Sequence, residues 1–219
     1  SPRTGAPVLL IGQKLLLEPD ADALISLAAL TIGDLATLLA KAKIRLDAEQ
    51  QQRLLSFTRG NPLLLHLFIV LYQREEKLTE SLQQLTTPLA LDWFMARLRL
   101  HLSPAEVAIL YELAVYEGNA PRDGWRSSQK ALRTLIDLGL VEAPSAESVS
   151  LHPAIRSWLY QQLPLDRRSE LHLSAANQLA ERSRFTLAAH HYVQAGQPAM
   201  ALWTWYNHRH QEIAQGQGS

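Results

Sequence analysis

Histidines, cationic side chains and hydroxyl residues are the first places to look for chemistry in this 219-residue sequence. There are eight histidines and no cysteine, so disulfides, thiolate metal sites and cysteine nucleophiles are excluded. His190-His191 and His208-x-His210 come nearest to a metal pattern. Adjacent histidines on a helix point in different directions, the useful helical spacing is i, i+4, and no carboxylate cluster joins either pair. One of the adjacent histidines is therefore expected in packing and the other in solvent, with no metal. Ser, His and Asp all occur, but no nucleophile elbow or comparable motif relates them. The pattern G-x-x-x-x-G-K-[ST] is missing, and with it the loop and lysine that cradle phosphates. No acidic residue follows an apolar strand in the manner of a Mg²⁺ holder. No catalytic residue is assigned.

A second set of candidates is cationic. Arg126, Lys130 and Arg133, with Arg122 on the approach, face only Asp123 and Asp137 in the same stretch. On a helix such residues could contact nucleic-acid phosphates, although phosphate contacts dominate affinity and a bias this small would carry little of it. The whole chain gives that reading no help. Lys and Arg number 21 against 21 Asp and Glu, a balance that gives no support to a general nucleic-acid polyelectrolyte or a membrane-surface binder. Charged residues are only 19% of the total, below the roughly 25% of average domains, which suggests that other protein covers part of the surface. No apolar run approaches the roughly 20 residues of a membrane span, and no signal peptide is visible. A cytoplasmic location is expected.

The elements that must position these residues can be read in order. Val8 to Ile11 and Leu24 to Leu30 are short apolar runs around the turn signal Glu18-Pro19-Asp20, and read as strands. From residue 31 the period is helical. Thr31 with Asp34, and Asp47 with Gln50, are start signals, and Gly60 stops the second helix. Asn61-Pro62 opens the next, with Leu63, Leu64, Leu67, Phe68 and Leu71 as its apolar face. The polar stretch Gln73 to Gln84 leads to a boundary at Thr86-Thr87-Pro88. Trp93, Leu98 and Leu100 belong to one helix, and Ser103-Pro104-Ala105-Glu106 caps another. A loop with Gly118, Pro121 and Gly124 leads to a helix over Ser127 to Leu138, stopped by Gly139. Leu140 to Glu142 and Val149 to Leu151 flank a polar tip as a hairpin, and Pro153 to Leu163 returns to helix. Helix, loop, helix, hairpin is the layout of a winged helix. From Asp166 two helices and the start of a third follow, with alanines where stacked helices approach closely. This reads as the first one or two hairpins of a helical solenoid. Such an array cannot cap itself and is expected to continue past Ser219, and a start at Ser1-Pro2-Arg3 reads as a piece of something longer.

This order of parts, with Val8-Leu9-Leu10-Ile11, then Thr58-Arg59-Gly60-Asn61-Pro62-Leu63-Leu64-Leu65, then Leu151-His152-Pro153 closing the winged helix, resembles the C-terminal half of the regulatory module of STAND-class NTPases. These are signal-transduction ATPases that include the NB-ARC proteins and the maltose-regulator type of transcription activator. The resemblance covers nearly the whole chain and implies a mainly α fold. Residues 1–30 would be the end of an α/β nucleotide-binding core, 31–88 a helical lid, 89–164 a winged helix with a small β-hairpin, and 165–219 the start of TPR-like repeats. It implies that Gly60 and Pro62 open the lid helix, with the proline against the adenine, and that His152 reaches the phosphates of bound ADP. A proline offers a rigid apolar face to a purine, and a histidine can donate to a phosphate. The sequence departs from the family's pattern in two places. Pro153 stands where an acid often follows the histidine, and Gly12-Gln13-Lys14 stand where an arginine often senses the terminal phosphate.

What the resemblance implies about function is a regulatory fragment. The lid and winged helix would close over ADP and suppress signalling. An inducer, protein or small molecule, would act on the repeats, and exchange for ATP would permit oligomerisation. ADP or ATP with Mg²⁺ would be held by the complete protein together with an upstream nucleotide-binding core, and no nucleotide by this fragment alone. Two other classes remain: a winged-helix DNA-binding protein with a helical dimerisation tail, using Arg126, Lys130 and Arg133, and a pure interaction scaffold built on the repeats.

Overall fold

The computed structural model describes residues 28–75 and 90–214, with side chains through residue 211. The chain is mainly helical with one small antiparallel sheet. Its first helices are α1 (Ile32–Lys41), α2 (Ala48–Thr58), α3 (Pro62–Tyr72), α4 (Ala90–Arg99) and α5 (Pro104–Ala114). Strand β1 (Ala120–Pro121), a 3₁₀ segment (Arg122–Ser128), α6 (Gln129–Asp137), β2 (Val141–Glu142), β3 (Ser148–Leu151) and α7 (Pro153–Gln162) follow. The last helices are α8 (Leu165–Glu181), α9 (Phe185–Gln194) and α10 (Pro198–Ala214). The strand expected at Val8 to Ile11, Lys14 and the boundary at Thr86-Thr87-Pro88 lie outside the described residues. So does most of the strand expected at Leu24 to Leu30, whose last three residues carry no regular structure.

Local sequence sets the helix starts. Thr31 and Asp34 form a reciprocal capping box, as do Asp47 with Gln50 and Ser103 with Glu106. In the last of these Ser103 N–H donates to Glu106 Oε2 at 2.7 Å and Glu106 N–H to Ser103 Oγ at 3.3 Å. Each box satisfies two amide groups that have no partner within the helix. Ser103→Ala removes one acceptor and should lower stability by about 1 kcal/mol, readable as a shift in the thermal or urea midpoint, while Ser103→Asp should leave it nearly unchanged.

The helix opened by Pro62 is more deeply set than its expected stripe. Leu65, Leu67, Phe68, Val70 and Leu71 are buried, and Leu63 and Leu64 are only half-buried. The α3 helix packs against α4, and its His66 also reaches the Leu138 carbonyl just past α6. Leu98 is buried in α4, but Leu100 lies just beyond that helix and is 81% exposed.

The sheet has the order β1-β3-β2. Val141 pairs with Leu151 and Glu142 with Ser150, while Ala120 pairs with Val149 on the other side of β3. The expected hairpin is therefore the larger part of a three-stranded sheet, and the loop before α6 supplies the third strand and a 3₁₀ segment. That segment bends at Trp125, whose φ and ψ of −112° and 34° are not helical. Trp125 is buried, with its indole N–H donating to Glu112 Oε2 at 2.5 Å. The bend turns the indole inward, so α6 begins at Gln129.

The last helices pack side by side. Ala175 and Ala176 of α8 and Ala188 of α9 are fully buried, which lets the backbones approach closely. Among the described side chains of α10, Ala201 and Thr204 are buried, and Leu202, Trp203, Trp205 and Tyr206 are exposed. A single apolar cluster runs from Leu35 in α1 to Ala201 in α10, so α1–α3, the helix-and-sheet unit and the terminal hairpin share one core.

Candidate functional site

Gly60 and Pro62 sit at the junction of α2 and α3. Arg59 and Gly60 both take the left-handed conformation, with φ of 52° and 66°. The turn brings Gly60 against the chain entering α1, where its carbonyl accepts from Leu30 N–H at 2.9 Å. A Cβ at Gly60 would lie 2.4 Å from the Leu30 carbonyl oxygen and 2.9 Å from its nitrogen. Asn61 Oδ1 then accepts from Leu63 and Leu64 N–H at 2.9 and 3.3 Å, and Pro62 occupies the first helical position with its ring exposed. The junction therefore presents a rigid apolar ring to solvent on a fixed backbone.

His152 caps α7. Its Nδ1 accepts from Ala154 N–H at 3.2 Å, so the proton of a neutral ring belongs on Nε2, which keeps a donor for another group. The imidazole is half-buried.

Contacts connect the two positions. One turn after Pro62, His66 Nε2–H donates to the Leu138 carbonyl at 2.8 Å. The imidazole lies against Gly139, where a Cβ would meet Nε2 at 2.6 Å. Gly139, with φ of 65°, turns the chain from α6 towards β2. Val141 of β2 pairs with Leu151, and His152 is the next residue. The far end of α3 is held too. Glu75 accepts from Arg97 Nε and His101 Nε2, both at 2.6 Å. Burial opposes ionisation of Glu75, but the bonds from His101 and Arg97 and their charges outweigh it and hold the carboxyl below its ordinary range. The α3 helix is thus pinned to the helix-and-sheet unit at both ends.

Of the cationic candidates, Arg126 pairs with Asp123 at 3.3 Å, while Lys130 and Arg133 are exposed. Arg126 and Arg133 border an open cleft of about 900 Å³, and Lys130 does not. Arg122, Arg182 and Arg184 border it as well. Arg182 and Arg184 lie about fifty residues further along the chain, where a local charge count does not reach them.

Sequence reasoning also missed a buried chain of polar rings. Tyr160 Oη lies 3.1 Å from His172 Nε2, and His172 Nδ1 lies 2.9 Å from His191 Nδ1. The ring of Tyr116 sits 5.2 Å from that of His191. His172 and His191 are 3% and 4% exposed. Burial pushes His172 down to about 4, helped by the charge of His190, and pushes His191 down to about 3, helped by His172. His190 is exposed, in keeping with the expected division of roles between adjacent histidines. Among the described residues no cluster of His, Asp and Glu could hold a metal ion, and no helix is long and apolar enough to cross a membrane.

No protein-family model and no curated protein matches the chain. Among solved structures it is similar to a Signal Transduction ATPase with Numerous Domains (STAND) protein with a tetratricopeptide repeat sensor from Pyrococcus horikoshii. The TM-score is 0.62 at 16% identity, over 85% of this chain and 28% of that one. The chain thus spans just over a quarter of the length of the protein it matches. Three leading helices, a helix-and-sheet unit and a terminal helical hairpin in one continuous core are thus a fold this chain shares with part of that STAND protein.

Proposed function

We infer that the chain is a regulatory segment of a STAND-type ATPase switch. In this reading α1–α3 form the lid, α4–α7 with the sheet form the winged-helix unit, and α8–α10 begin a TPR-like sensor. Lid and winged helix close over ADP held by an upstream nucleotide-binding core. Pro62 lies against the adenine and His152 Nε2–H donates to a phosphate. A partner or ligand on the repeats releases this closure, ATP replaces ADP, and the opened module self-associates.

The observation that carries the reading is the run of contacts from α3 to His152. The lid helix is bonded to the turn at Leu138-Gly139, and that turn leads through the β2–β3 pair to the histidine. A ligand touching both Pro62 and His152 would favour the state in which these contacts form, and its loss would free them. The similarity in fold to a protein described as a STAND ATPase with a repeat sensor agrees with this.

The test uses the complete protein. His152→Asn keeps a capping acceptor for α7 but removes the imidazole donor. ADP retention should weaken about tenfold, the effect of losing one bond to a charged group, and basal activity should rise. Unchanged ADP affinity in His152→Asn and His152→Ala would rule out the phosphate role. The DNA-binding alternative has weaker support, because Asp123, at the approach to α6, is shared by Arg126 and by Arg182 from the terminal hairpin.

A further inference from the structure

Three separate elements send arginines into one cleft. Arg122 and Arg126 come from the 3₁₀ segment, Arg133 from α6, and Arg182 and Arg184 from the turn between α8 and α9. The tip of the β2–β3 hairpin, through Ser145 to Ser148, forms another wall, and the exposed Leu187 adds an apolar side chain to the lining. Five guanidinium groups border the space against two carboxylates, Asp123 and Glu147, an excess of three positive charges.

Only part of that charge is balanced internally. Asp123 is bonded by Arg182, with Nε at 2.9 Å and Nη2 at 2.8 Å, and by Arg126 at 3.3 Å. This pairing ties the terminal hairpin to the helix-and-sheet unit. The side chains of Arg122, Arg133 and Arg184 make no hydrogen bond or ion pair among the described residues. Arg184 is also the N-cap of α9 and supplies no side-chain acceptor there. A cation at the positive end of a helix dipole is unfavourable, and an anion at that place relieves both the dipole and the crowded guanidinium groups.

We propose that this cleft binds a small ligand carrying two or more phosphate groups. Guanidinium groups fork onto phosphate oxygens in pairs, and a ligand of charge near −3 matches the excess. The volume of about 900 Å³ falls in the range of small-molecule sites. Leu187, 45% exposed, gives the rest of such a ligand an apolar surface to lie on. The cleft has a wall on each side of the junction, so an occupant braces the terminal hairpin against the helix-and-sheet unit. The proposal is independent of the switch reading and of the positions of Pro62 and His152.

The test is calorimetric titration of the chain with inorganic tripolyphosphate, without divalent metal, at low and moderate salt. Saturable one-to-one binding is expected. The double variant Arg122→Ala/Arg184→Ala should weaken it by at least about tenfold, with a melting temperature no lower than that of the parent chain, because neither side chain has a partner to lose and Arg184 opposes the helix dipole. Arg133→Ala alone should weaken it less, and Lys130→Ala should leave it intact. Absence of saturable binding, or full affinity in the double variant, overturns the proposal. Tighter binding of a short DNA duplex that depends on Lys130 overturns it in favour of nucleic acid. Equal affinity for an oligoglutamate peptide overturns it in favour of an acidic protein segment.

Discussion

Lowering the pH from 7.5 to 4.5 should destabilise the protein by several kcal/mol, with the loss starting near pH 6.5. His172 and His191 are neutral in the folded state, held down to about 4 and about 3, chiefly by burial. In the unfolded chain both return to about 6.5. Between these values the unfolded chain binds more protons than the folded one, so stability falls as the pH falls. Each proton contributes about 1.4 kcal/mol per pH unit at the steepest point. The geometry limits what the pair can accept. With one proton between them, one Nδ1 donates and the other accepts across 2.9 Å. With both rings charged, two N–H groups would face each other at that distance. The neighbouring charges offer little rescue: Glu117 favours protonation of His172, while His190 and Arg168 oppose it. The pair lies where α8 and α9 meet Tyr160 of α7 and Tyr116, so the terminal hairpin should loosen first. Thermal melting followed by circular dichroism between pH 7.5 and 4.5 measures the slope. The double variant His172→Leu/His191→Leu should flatten it above pH 5, where carboxylates add little. A slope unchanged in the double variant would show that these histidines do not set it.

What could be read before the structure, and what could not, divides along the distance between interacting residues. The caps at Thr31, Asp47, Asn61 and Ser103 are relations over two to three residues, and they stand where the side-chain types place them. The β2–β3 pair is nearly as local. β1 escaped because its two residues, Ala120 and Pro121, carry no periodicity and become a strand only through their register with Val149 and Ser148. The start of α6 moved because Trp125 is drawn inward by Glu112, a tertiary preference that overrides helical propensity. Gly60, Pro62 and His152 were legible as an ordered set of motifs, but the bond from His66 to Leu138 that connects them spans 72 residues. The arginine cleft and the His172–His191 pair share this character. Their members are ordinary surface or helix residues in sequence, and become a site or a core only where α8 and α9 pack.

Gly60→Ala should be among the most destabilising single changes in α1–α3, at about 3 kcal/mol. Two effects combine. An alanine at φ of 66° takes a left-handed conformation that costs about 1–2 kcal/mol for residues with a Cβ. The new methyl would also lie 2.4 Å from the Leu30 carbonyl oxygen, a backbone atom that cannot swing aside as a side chain can. Relief requires the α1 entry to move, and that strains the Leu30 N–H bond to the Gly60 carbonyl. Gly33 is the control. It lies in the first turn of α1, where a Cβ would meet only Thr31 Oγ1 at an ordinary 3.8 Å, so Gly33→Ala should stabilise by up to about 1 kcal/mol. Chemical denaturation of both variants gives the comparison, and equal effects would show that the close approach at Leu30 does not matter. The result also separates two roles within one short motif. The glycine is needed for the fold with no ligand present, whereas the exposed ring of Pro62 is not, and Pro62→Ala should change stability by less than about 1 kcal/mol. Under the proposed nucleotide role, a loss of ADP affinity in the complete protein on Pro62→Ala would therefore report contact with the nucleotide rather than damage to α1–α3. Unaltered affinity in that variant would leave the motif with its structural role alone.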